Sequence, residues 1–268
     1  MTKPKALILT GYGINCEEET SYAFGLAGAE AVILHMNDLI AEKNRILDFQ
    51  ILALPGGFSY GDDTGSGNAI ANRIKNNLVE FIQRFIEKDT LTIGICNGCQ
   101  VLANMGVIPG FEFHESKREV IFTHNTSARY EDRWVTLKVE KTDCVFTKGL
   151  QKLYIPVAHG EGNFYAKTTL INKLKEKRQI VLRYAKEDGT PAKGEFPYNP
   201  NGSCEDVAAI CNPTGRVLAL MPHPERHLFF CQHPDYPLLK EQLLRQNRSL
   251  PEKGEGIKLF ENAVGWFG

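Results

Sequence analysis

The stretch LTIGICNGCQVL, residues 91–102, decides how this chain is expected to fold. It starts as a short apolar run typical of a strand, turns at Cys96 between two glycines, and continues with residues typical of a helix. The spacing G-x-C-x-G is the cysteine counterpart of the G-x-S-x-G elbow, a tight strand-to-helix turn that lifts a nucleophile out of a sheet. Glycine is needed on both sides because neighbouring chain would collide with a β-carbon. A thiol at the start of a helix also lies at the positive end of the helix dipole, which favours the reactive thiolate.

The same stretch permits three other interpretations. Cys96 and Cys99 have the C-x-x-C spacing of a thioredoxin-like redox pair, which also occurs at a strand–helix junction. A zinc site would need a second pair of cysteines at similar spacing, and the remaining cysteines offer none. Two small buried residues beside a tight turn are the simplest alternative. The stretch alone therefore leaves a nucleophile, a redox pair, a zinc site and ordinary packing open.

Strand-like and helix-like segments alternate along the first hundred residues. Short apolar runs rich in β-forming residues occur at residues 5–10, 30–35, 51–55 and 91–96. Helical patterns lie between them, at residues 16–26, 39–49 and 69–87. Because this alternation requires crossover connections, it predicts an α/β fold with a mostly parallel central sheet flanked by helices.

The second half of the chain has the pattern of antiparallel strands joined by turns. Strand-like segments cover residues 133–140, 154–166, 180–185 and 207–221, and the last contains the hairpin signal NPTG. We expect these segments to extend the same sheet or to form a small flap. The chain is predicted to be a single domain, residues 1–268, with an insertion at about residues 228–253 before a C-terminal amphipathic helix.

The composition limits the classes of function. The chain has 268 residues, 43% of them hydrophobic, and a formal net charge of −1, which provides a sizeable core but no basic surface for nucleic acid or anionic membranes. Its seven cysteines are an odd number without a regular framework, which indicates free thiols in a reducing compartment. The apolar run near the N-terminus covers only residues 6–9, which is too short for a signal peptide or a membrane span. We therefore expect a cytoplasmic protein that binds neither nucleic acid nor membrane.

Two further segments carry groups that a cysteine nucleophile needs. LPGGFSYGD, residues 54–62, follows a strand, and its paired glycines allow backbone N–H groups to turn outward, as an oxyanion hole requires. MPHPER, residues 221–226, places His223 and Glu225 on one face of an extended segment. A carboxylate beside an imidazole orients the ring and stabilises the imidazolium, which is the support that a thiol-activating base needs. A simple glycine turn and a structural histidine are the ordinary alternatives.

With these segments in this order, the sequence resembles the class I, triad-type glutamine amidotransferases, and among them the glutaminase subunits of phosphoribosylformylglycinamidine synthase. The resemblance rests on PGGFSYGD, GICNGCQVL, PVAHGEG and MPHPER and runs from residue 5 to about residue 227. It implies a flavodoxin-like α/β fold and hydrolysis of L-glutamine to glutamate and ammonia through a cysteine thioester. It also implies that the ammonia passes to an ATP-dependent synthetase, which converts formylglycinamide ribonucleotide to formylglycinamidine ribonucleotide in purine biosynthesis.

The resemblance also implies roles for individual residues. Those residues are the nucleophile Cys96, its base and acid His223, the orienting Glu225, the oxyanion-hole N–H groups of Gly57 and Asn97, and the glutamine-binding Gln100 and His159, with Gly160 and Glu161 lining the same pocket. No metal ligand is implied.

Cofactors and partners follow from the same resemblance. The chain has no G-x-x-x-x-G-K-[ST] phosphate loop, and GYGINCEEE does not complete a dinucleotide-binding G-x-G-x-x-G. We therefore expect no cofactor in this chain, and ATP and magnesium in the synthetase partner, with or without a small third subunit. A DJ-1/PfpI-like cysteine enzyme and a C-x-x-C redox module are the alternatives. DJ-1/PfpI proteins usually have a histidine directly after the nucleophile, where this chain has Asn97.

Overall fold

A computed structural model describes residues 3–110 and 118–268 of the chain. Its strands are β1 (Lys5–Thr10), β2 (Glu30–His35), β3 (Ile51–Leu54), β4 (Leu91–Ile95), β5 (Ile121–Thr123), β6 (Glu131–Val139), β7 (Lys152–His159), β8 (Asn163–Tyr165), β9 (Ile180–Ala185), β10 (Val207–Cys211) and β11 (Val217–Leu220). Its α-helices are α1 (Glu17–Leu26), α2 (Met36–Ala41), α3 (Asn68–Glu87), α4 (Asn97–Asn104), α5 (Thr168–Glu176), α6 (Tyr236–Arg245) and α7 (Ile257–Gly265).

Nine of these strands form one sheet, in the order β2-β1-β3-β4-β11-β10-β9-β6-β7. Neighbouring strands are parallel from β2 to β11. The central strands β3 and β4 are buried along their whole length, as their continuous apolar sequence predicts for strands covered on both faces. The predicted α/β fold with a parallel first half is confirmed.

The second half of the chain adds antiparallel strands, as predicted. Neighbours are antiparallel from β11 to β7, and the NPTG turn joins the hairpin β10–β11. The segment at residues 154–166 divides: β7 joins the main sheet, whereas β8 pairs with β5 in a separate two-stranded sheet. Both expected arrangements, an extension of the sheet and a small flap, are therefore present.

Strand direction brings the residues of the predicted site to one edge of the sheet. β1, β3, β4 and β11 are mutually parallel, and the antiparallel steps from β11 to β7 return β7 to the same direction. From β1 the chain continues to β2, which lies on one side of β1 in the sheet. From β3 it continues to β4 in the opposite direction, so the strand order reverses between β1 and β3. Sites in such sheets lie outside the carboxyl ends of the strands at this reversal.

Helices cover both faces of the sheet. Because right-handed crossovers run in opposite directions from β1 and from β3, α1 and α3 lie on opposite faces. α7 packs beside α1, where Phe24 and Phe260 meet edge to face with ring centres 5.0 Å apart. α4 packs beside α3. The core thus forms two layers, one on each side of the central strands.

One helix differs from its prediction. The helical pattern at residues 39–49 contains only the end of α2, followed by a separate 3₁₀ helix at Lys43–Asp48. Glu42 lies between them with a non-helical backbone, φ −122° and ψ 58°. α2 also begins earlier than predicted because Nδ1 of His35 accepts the N–H of Asn37 at 3.1 Å and caps the first turn.

The predicted insertion, residues 228–253, contains α6, which has no buried residue. Leu238 and Leu244 on this helix are about half exposed. The ring of His233 holds the segment to the outer strands through stacking on Trp134 and Tyr154, with ring centres 5.9 and 5.1 Å apart. Whether these residues are an insertion stays a prediction. No helix in the described ranges has both the length and the apolar character needed to cross a bilayer.

The start of α4 lies against the end of β3, and this approach requires glycine. A β-carbon on Gly98 would lie 1.8 Å from the backbone oxygen of Leu54. One on Gly94 would lie 2.5 Å from the backbone oxygen of Gly98. Both contacts are with backbone, which can only move with its strand or helix. The two glycines of G-x-C-x-G are therefore in the positions where the elbow needs them.

We expect Gly98→Ala to lower the free energy of unfolding by about 2 kcal/mol or more, because the methyl group must push α4 away from β3. Gly25→Ala is the matched control. Gly25 lies on an exposed position of α1, and nothing lies within 4 Å of an added β-carbon, so alanine should stabilise the helix by about 1 kcal/mol. Urea unfolding measures both changes. An unchanged free energy of unfolding in Gly98→Ala would contradict the close approach of α4 to β3.

Candidate active site

Cys96 lies on the turn between β4 and α4, with φ 50° and ψ −105°, a conformation that residues with a side chain rarely adopt. Its N–H donates to the backbone oxygen of Leu220 at 2.8 Å, which ties the turn to the end of β11. Its side chain is almost buried, and Sγ lies 3.6 Å from the backbone oxygen of Ala158. Strain of this kind persists only where the surroundings enforce it, and it is common at functional sites. The structure places Cys96 on the elbow that the sequence predicts.

Cys99 has a different environment from Cys96. It is fully buried in α4, and burial, together with the nearby Cys96, raises the pKa of its thiol well above the ordinary value. A protonated, inaccessible thiol is a poor partner in thiol–disulfide exchange. The environment of Cys99 therefore disfavours the redox interpretation of C-x-x-C.

Gly57 faces the cavity beside Cys96. It pairs with Ile14 in an antiparallel bridge, where the N–H of Phe58 donates to the backbone oxygen of Gly13 at 2.7 Å. In this pairing the N–H of Gly57 itself points away from Ile14. Its φ of 151°, and the 2.6 Å between an added β-carbon and the Gly13 oxygen, make glycine necessary here. The arrangement suits the predicted oxyanion-hole donor, a role that stays a prediction.

Asn97 and Gln100 are tied to the chain by their side chains. Nδ2 of Asn97 donates to Asp62 Oδ1 at 3.2 Å and to Gln100 Oε1 at 3.0 Å. Nε2 of Gln100 donates to the backbone oxygen of Glu161 at 2.7 Å. The Gln100 amide is therefore occupied at both ends. These bonds hold Gln100 in the cavity wall and leave its second N–H free, so its contact with glutamine stays a prediction.

His223 and Glu225 form a buried pair at the end of β11. Nδ1 of His223 lies 2.5 Å from Oε1 of Glu225, and the two side chains are 1% and 0% exposed. Burial lowers the pKa of His223, but the Glu225 carboxylate and the Cys96 sulfur outweigh it, so the pKa lies well above its ordinary value. Hydrogen bonds with the thiols of Cys16 and Cys96 raise the pKa of His223 as well.

The structure brings the imidazole of His223 next to Cys96. A β-carbon on Gly56 would lie 2.8 Å from Cε1 of His223 and 3.5 Å from Cβ of Cys96, so both residues border the same point. The predicted reason for the His223–Glu225 contact is wrong in one respect. Residues Pro224–Arg226 form a 3₁₀ turn instead of an extended segment, and the turn, not strand alternation, brings Glu225 under the ring.

A cavity of about 130 Å³ opens beside Cys96. It is lined by Gly57, Phe58, Asp62, Ser66, Cys96, Gln100, Ala158, His159, Gly160 and Glu161. The predicted pocket residues at the end of β7 thus meet the oxyanion loop and the elbow around one space. Three of the predicted residues, Asn97, His223 and Glu225, are not part of its wall.

His159 supports the cavity wall as a neutral ring. Nδ1 lies 3.2 Å from Oδ1 of Asn125, and Nε2 lies 3.3 Å from Nδ2 of Asn201, so both ring nitrogens have partners. Burial, helped by the nearby His223, lowers the pKa of His159 to about 4. Because its nitrogens are occupied, the ring fixes the loop that carries Glu161 and leaves no free group for a ligand. Sequence reasoning missed Asn125 and Asn201, which lie in no motif.

Asp62 and Glu161 give the cavity a negative end. Burial raises the pKa of Asp62, and the nearby Glu161 carboxylate raises it further. Hydrogen bonds from Gly67, Ser66 and Asn97 act in the opposite direction, but the pKa stays above its ordinary value. Oε2 of Glu161 accepts the N–H of Ser66 at 3.3 Å. Two carboxylates that repel one another at the wall of a cavity favour a positively charged ligand group. Asp62 lies in the PGGFSYGD motif, but only the fold places it opposite Glu161.

The pH dependence of stability tests the neutral state of His159. The pKa of His159 is about 4 in the folded chain and has its ordinary value of 6.5 in the unfolded chain. Between pH 4 and pH 6.5 the unfolded chain therefore binds one more proton than the folded chain, so lowering the pH favours unfolding. The difference corresponds to about 3 kcal/mol, present above pH 6.5 and lost as the pH falls to 4. Urea unfolding across this range should show that His159→Asn lacks this component. Parallel curves for both proteins would contradict a buried, neutral His159.

The comparisons with known proteins agree with this geometry. Residues 3–267 match the family of CobB/CobQ-like glutamine amidotransferase domains. The chain is 50% identical to the PurQ subunit of phosphoribosylformylglycinamidine synthase from Methanococcus maripaludis, over 98% of this chain and 97% of that subunit. It is 45% identical to the PurQ subunit from Dehalococcoides mccartyi, over 99% and 98%.

Among solved structures, a chain of PurLQS from Thermotoga maritima superposes with a TM-score of 0.71 at 27% identity and covers 100% of both chains. A putative GMP synthase subunit from Thermoplasma acidophilum shares the fold, with a TM-score of 0.55 at 13% identity over 99% of this chain and 94% of that one. The chain therefore belongs to the glutamine amidotransferase family and, within it, to the PurQ subunits of phosphoribosylformylglycinamidine synthase.

Proposed function

We propose that this chain hydrolyses L-glutamine to glutamate and ammonia through a thioester on Cys96 and delivers the ammonia to a synthetase partner. The observation that carries the proposal is the buried His223–Glu225 pair, with Nδ1 and Oε1 2.5 Å apart, beside a thiol on a strained elbow. An imidazole whose far nitrogen is held by a carboxylate is the base that an attacking thiol requires.

In the first step the thiol of Cys96 attacks the side-chain amide carbon of glutamine. Nε2 of His223 takes the thiol proton, and Glu225 stabilises the resulting imidazolium. The amide oxygen becomes negatively charged, and the backbone N–H groups of Gly57 and Asn97 donate to it. His223 then returns the proton to the amide nitrogen, the C–N bond breaks, and ammonia leaves a glutamyl thioester on Cys96.

In the second step water replaces ammonia. His223 takes a proton from the water as its oxygen attacks the thioester carbon, and the same two N–H groups stabilise the second oxyanion. The C–S bond breaks and the sulfur regains its proton. Glutamate is released and the enzyme returns to its starting state.

The negative end of the cavity suits the α-ammonium group of glutamine. Asp62 and Glu161 lie on the wall that also carries Gly57 and Cys96, so one ligand can reach both ends. Gln100 and His159 then act on glutamine indirectly, because each holds the loop of Glu161 through its hydrogen bonds. The role of Gln100 in this proposal is therefore positioning.

The partner is inferred from the relatives. The Thermotoga maritima chain belongs to a structure of PurLQS, and the Methanococcus maripaludis relative is a subunit of phosphoribosylformylglycinamidine synthase. We infer that this chain assembles with PurL-type and PurS-type subunits. ATP and magnesium bind to the synthetase subunit, and formylglycinamide ribonucleotide accepts the ammonia. Because ammonia protonates in water and then loses its nucleophilicity, a direct contact between the subunits must carry it.

Cysteine variants test the nucleophile. Cys96→Ala is expected to reduce glutamine-dependent ammonia release at least about 1,000-fold, because no thioester can form. Cys99→Ala, which removes a neighbouring buried thiol of the same helix, should retain most of the activity. An electrophilic glutamine analogue should modify Cys96, and glutamine should protect it. An adduct found by mass spectrometry on another cysteine, or equal loss in both variants, would contradict the assignment.

A substrate without its α-ammonium group tests the negative end of the cavity. Glu161→Gln should lower kcat/KM for L-glutamine about 10- to 100-fold through KM, because a charge-assisted contact of about 1.5–3 kcal/mol is lost. For glutaramate, the deaminated analogue, the same substitution should have little effect. Glu176→Gln, at a position 75% exposed on α5, is the control. Glu161 is chosen for substitution instead of Asp62, because the Asp62 carboxylate also accepts hydrogen bonds from Ser66, Gly67 and Asn97. An equal loss with both substrates would exclude an ammonium contact.

A further inference from the structure

A second thiol lies against the imidazole that serves Cys96. Cys16, the residue directly before α1, is 1% exposed. The thiols of Cys16 and Cys96 both hydrogen bond with His223. Because Nδ1 of His223 is occupied by Glu225, both thiols meet the ring on the side of Nε2. The proposed glutaminase reaction gives Cys16 no role.

Gly56 leaves room for the contact between Cys16 and His223. A β-carbon on Gly56 would lie 2.8 Å from Cε1 of His223 and 3.2 Å from Sγ of Cys16. One side-chain atom from each of Cys16, His223 and Glu225 lies within 4.8 Å of the others, and all three residues are buried. Glycine at position 56 therefore lets the thiol and the ring meet.

The other contacts of Cys16 determine which way its thiol points. Its S–H donates to Oδ1 of Asn15 at 3.3 Å. Nη2 of Arg226 donates to the same sulfur at 3.3 Å. A sulfur whose hydrogen is directed to Asn15 can act only as an acceptor towards His223. It therefore favours the ring with a hydrogen on Nε2, the form that exists after His223 has taken the thiol proton of Cys96.

The backbone of Cys16 is held by the loop that carries Gly57. The N–H groups of Asn15 and Cys16 donate to the backbone oxygen of Gly56 at 3.2 and 3.3 Å. The backbone oxygen of Cys16 accepts the N–H of Thr20, in the first turn of α1, at 3.1 Å. The position of the Cys16 sulfur is therefore set by α1 and by the loop of the proposed oxyanion donor together.

The contact at Nδ1 does not by itself fix the imidazole. His223, Glu225 and Arg226 belong to one short turn, so a bond between His223 and Glu225 leaves the ring free to rotate about the line from Nδ1 to Oε1. A second contact on the other nitrogen, from a different element, removes this rotation. Cys16 supplies that contact.

We propose that Cys16 is a positioning residue of the glutaminase site, whose sulfur holds the protonated imidazole of His223 in the orientation that serves Cys96. This role deepens the proposed glutaminase function and rests on it. Once the Cys96 sulfur has bonded to the substrate carbon, it no longer carries the negative charge that attracts the imidazolium. Cys16 then remains as an acceptor for Nε2–H until the proton passes to the leaving nitrogen. Cys16 keeps its own hydrogen throughout.

Two substitutions separate positioning from packing. Cys16→Ala removes the acceptor, whereas Cys16→Ser keeps an acceptor and a hydrogen for Asn15. We expect Cys16→Ala to lower kcat for L-glutamine about five- to tenfold, because a hydrogen bond to a charged group is lost. KM should change less than about twofold, since Cys16 is not among the residues that line the cavity. Cys16→Ser should retain at least about half of kcat.

A role in packing alone predicts the opposite order. Serine would then be at least as damaging as alanine, because it buries a hydroxyl group. Cys144→Ala is the matched control, since Cys144 is 3% exposed and lies beside Gly215, at the other end of β11 from His223. It should leave kcat unchanged.

Alkylation of Cys96 by iodoacetamide, followed by peptide mass spectrometry, tests the same role without glutamine. The thiolate is the nucleophile, and it forms when His223 holds the proton. At about pH 7 the rate should fall about fivefold or more in Cys16→Ala and recover in Cys16→Ser. This measurement decides on Cys16 even if no form of the chain releases ammonia from glutamine, the result that would contradict the proposed function.

Circular dichroism checks the fold of each variant. If Cys16→Ala does not fold, Cys16→Val takes its place, because valine fills the space of the sulfur but accepts no hydrogen bond. Wild-type kcat and alkylation rate in the variant without an acceptor overturn the proposal. A serine variant as impaired as the alanine or valine variant overturns it as well.

Discussion

The close approach of α4 to the end of β3 is the constraint on which the site depends. It requires Gly98 beneath Leu54, and it compresses the turn so that Cys96 takes a positive φ. With the turn fixed, Asn97 reaches Asp62 and ties the elbow to the loop that carries Gly57. The nucleophile and the proposed oxyanion donors are thereby parts of one rigid body. Donors that are held in place in this way need little reorganisation when negative charge develops on an oxygen beside them.

The fold and the motif residues could be read from the sequence because they depend on local pattern. Continuous apolar runs predict buried parallel strands, and the glycines around Cys96 predict the elbow, since each reflects a steric requirement of its own neighbourhood. The break at Glu42 was missed because nothing in the apolar spacing of residues 39–49 distinguishes a 3₁₀ turn from a helix. The Asn125 and Asn201 partners of His159 were missed because only the folded chain brings them together.

The electrostatics of the buried triad explain a further residue of MPHPER. Once His223 has taken the thiol proton, a thiolate, an imidazolium and a carboxylate at Cys96, His223 and Glu225 carry a net charge of −1 on buried side chains, and such charges need compensation. Arg226 supplies it: Nε lies 4.0 Å from Oε1 of Glu225, and the side chain is only 36% exposed. The sequence pointed to His223 and Glu225, whereas the structure adds Arg226 as the group that balances the charge.

The distribution of charge along the cavity bears on turnover in the proposed reaction. Asp62, Glu161 and the thiol of Cys96 line the same cavity. Glutamine brings a positive ammonium to the carboxylates and a neutral amide to the sulfur, so both ends are favourable. Glutamate brings the same ammonium but a negative carboxylate to the sulfur, where the nearby Glu225 carboxylate repels it. The loss of the amide therefore converts a favourable contact into an unfavourable one, and the site that binds the substrate releases the product.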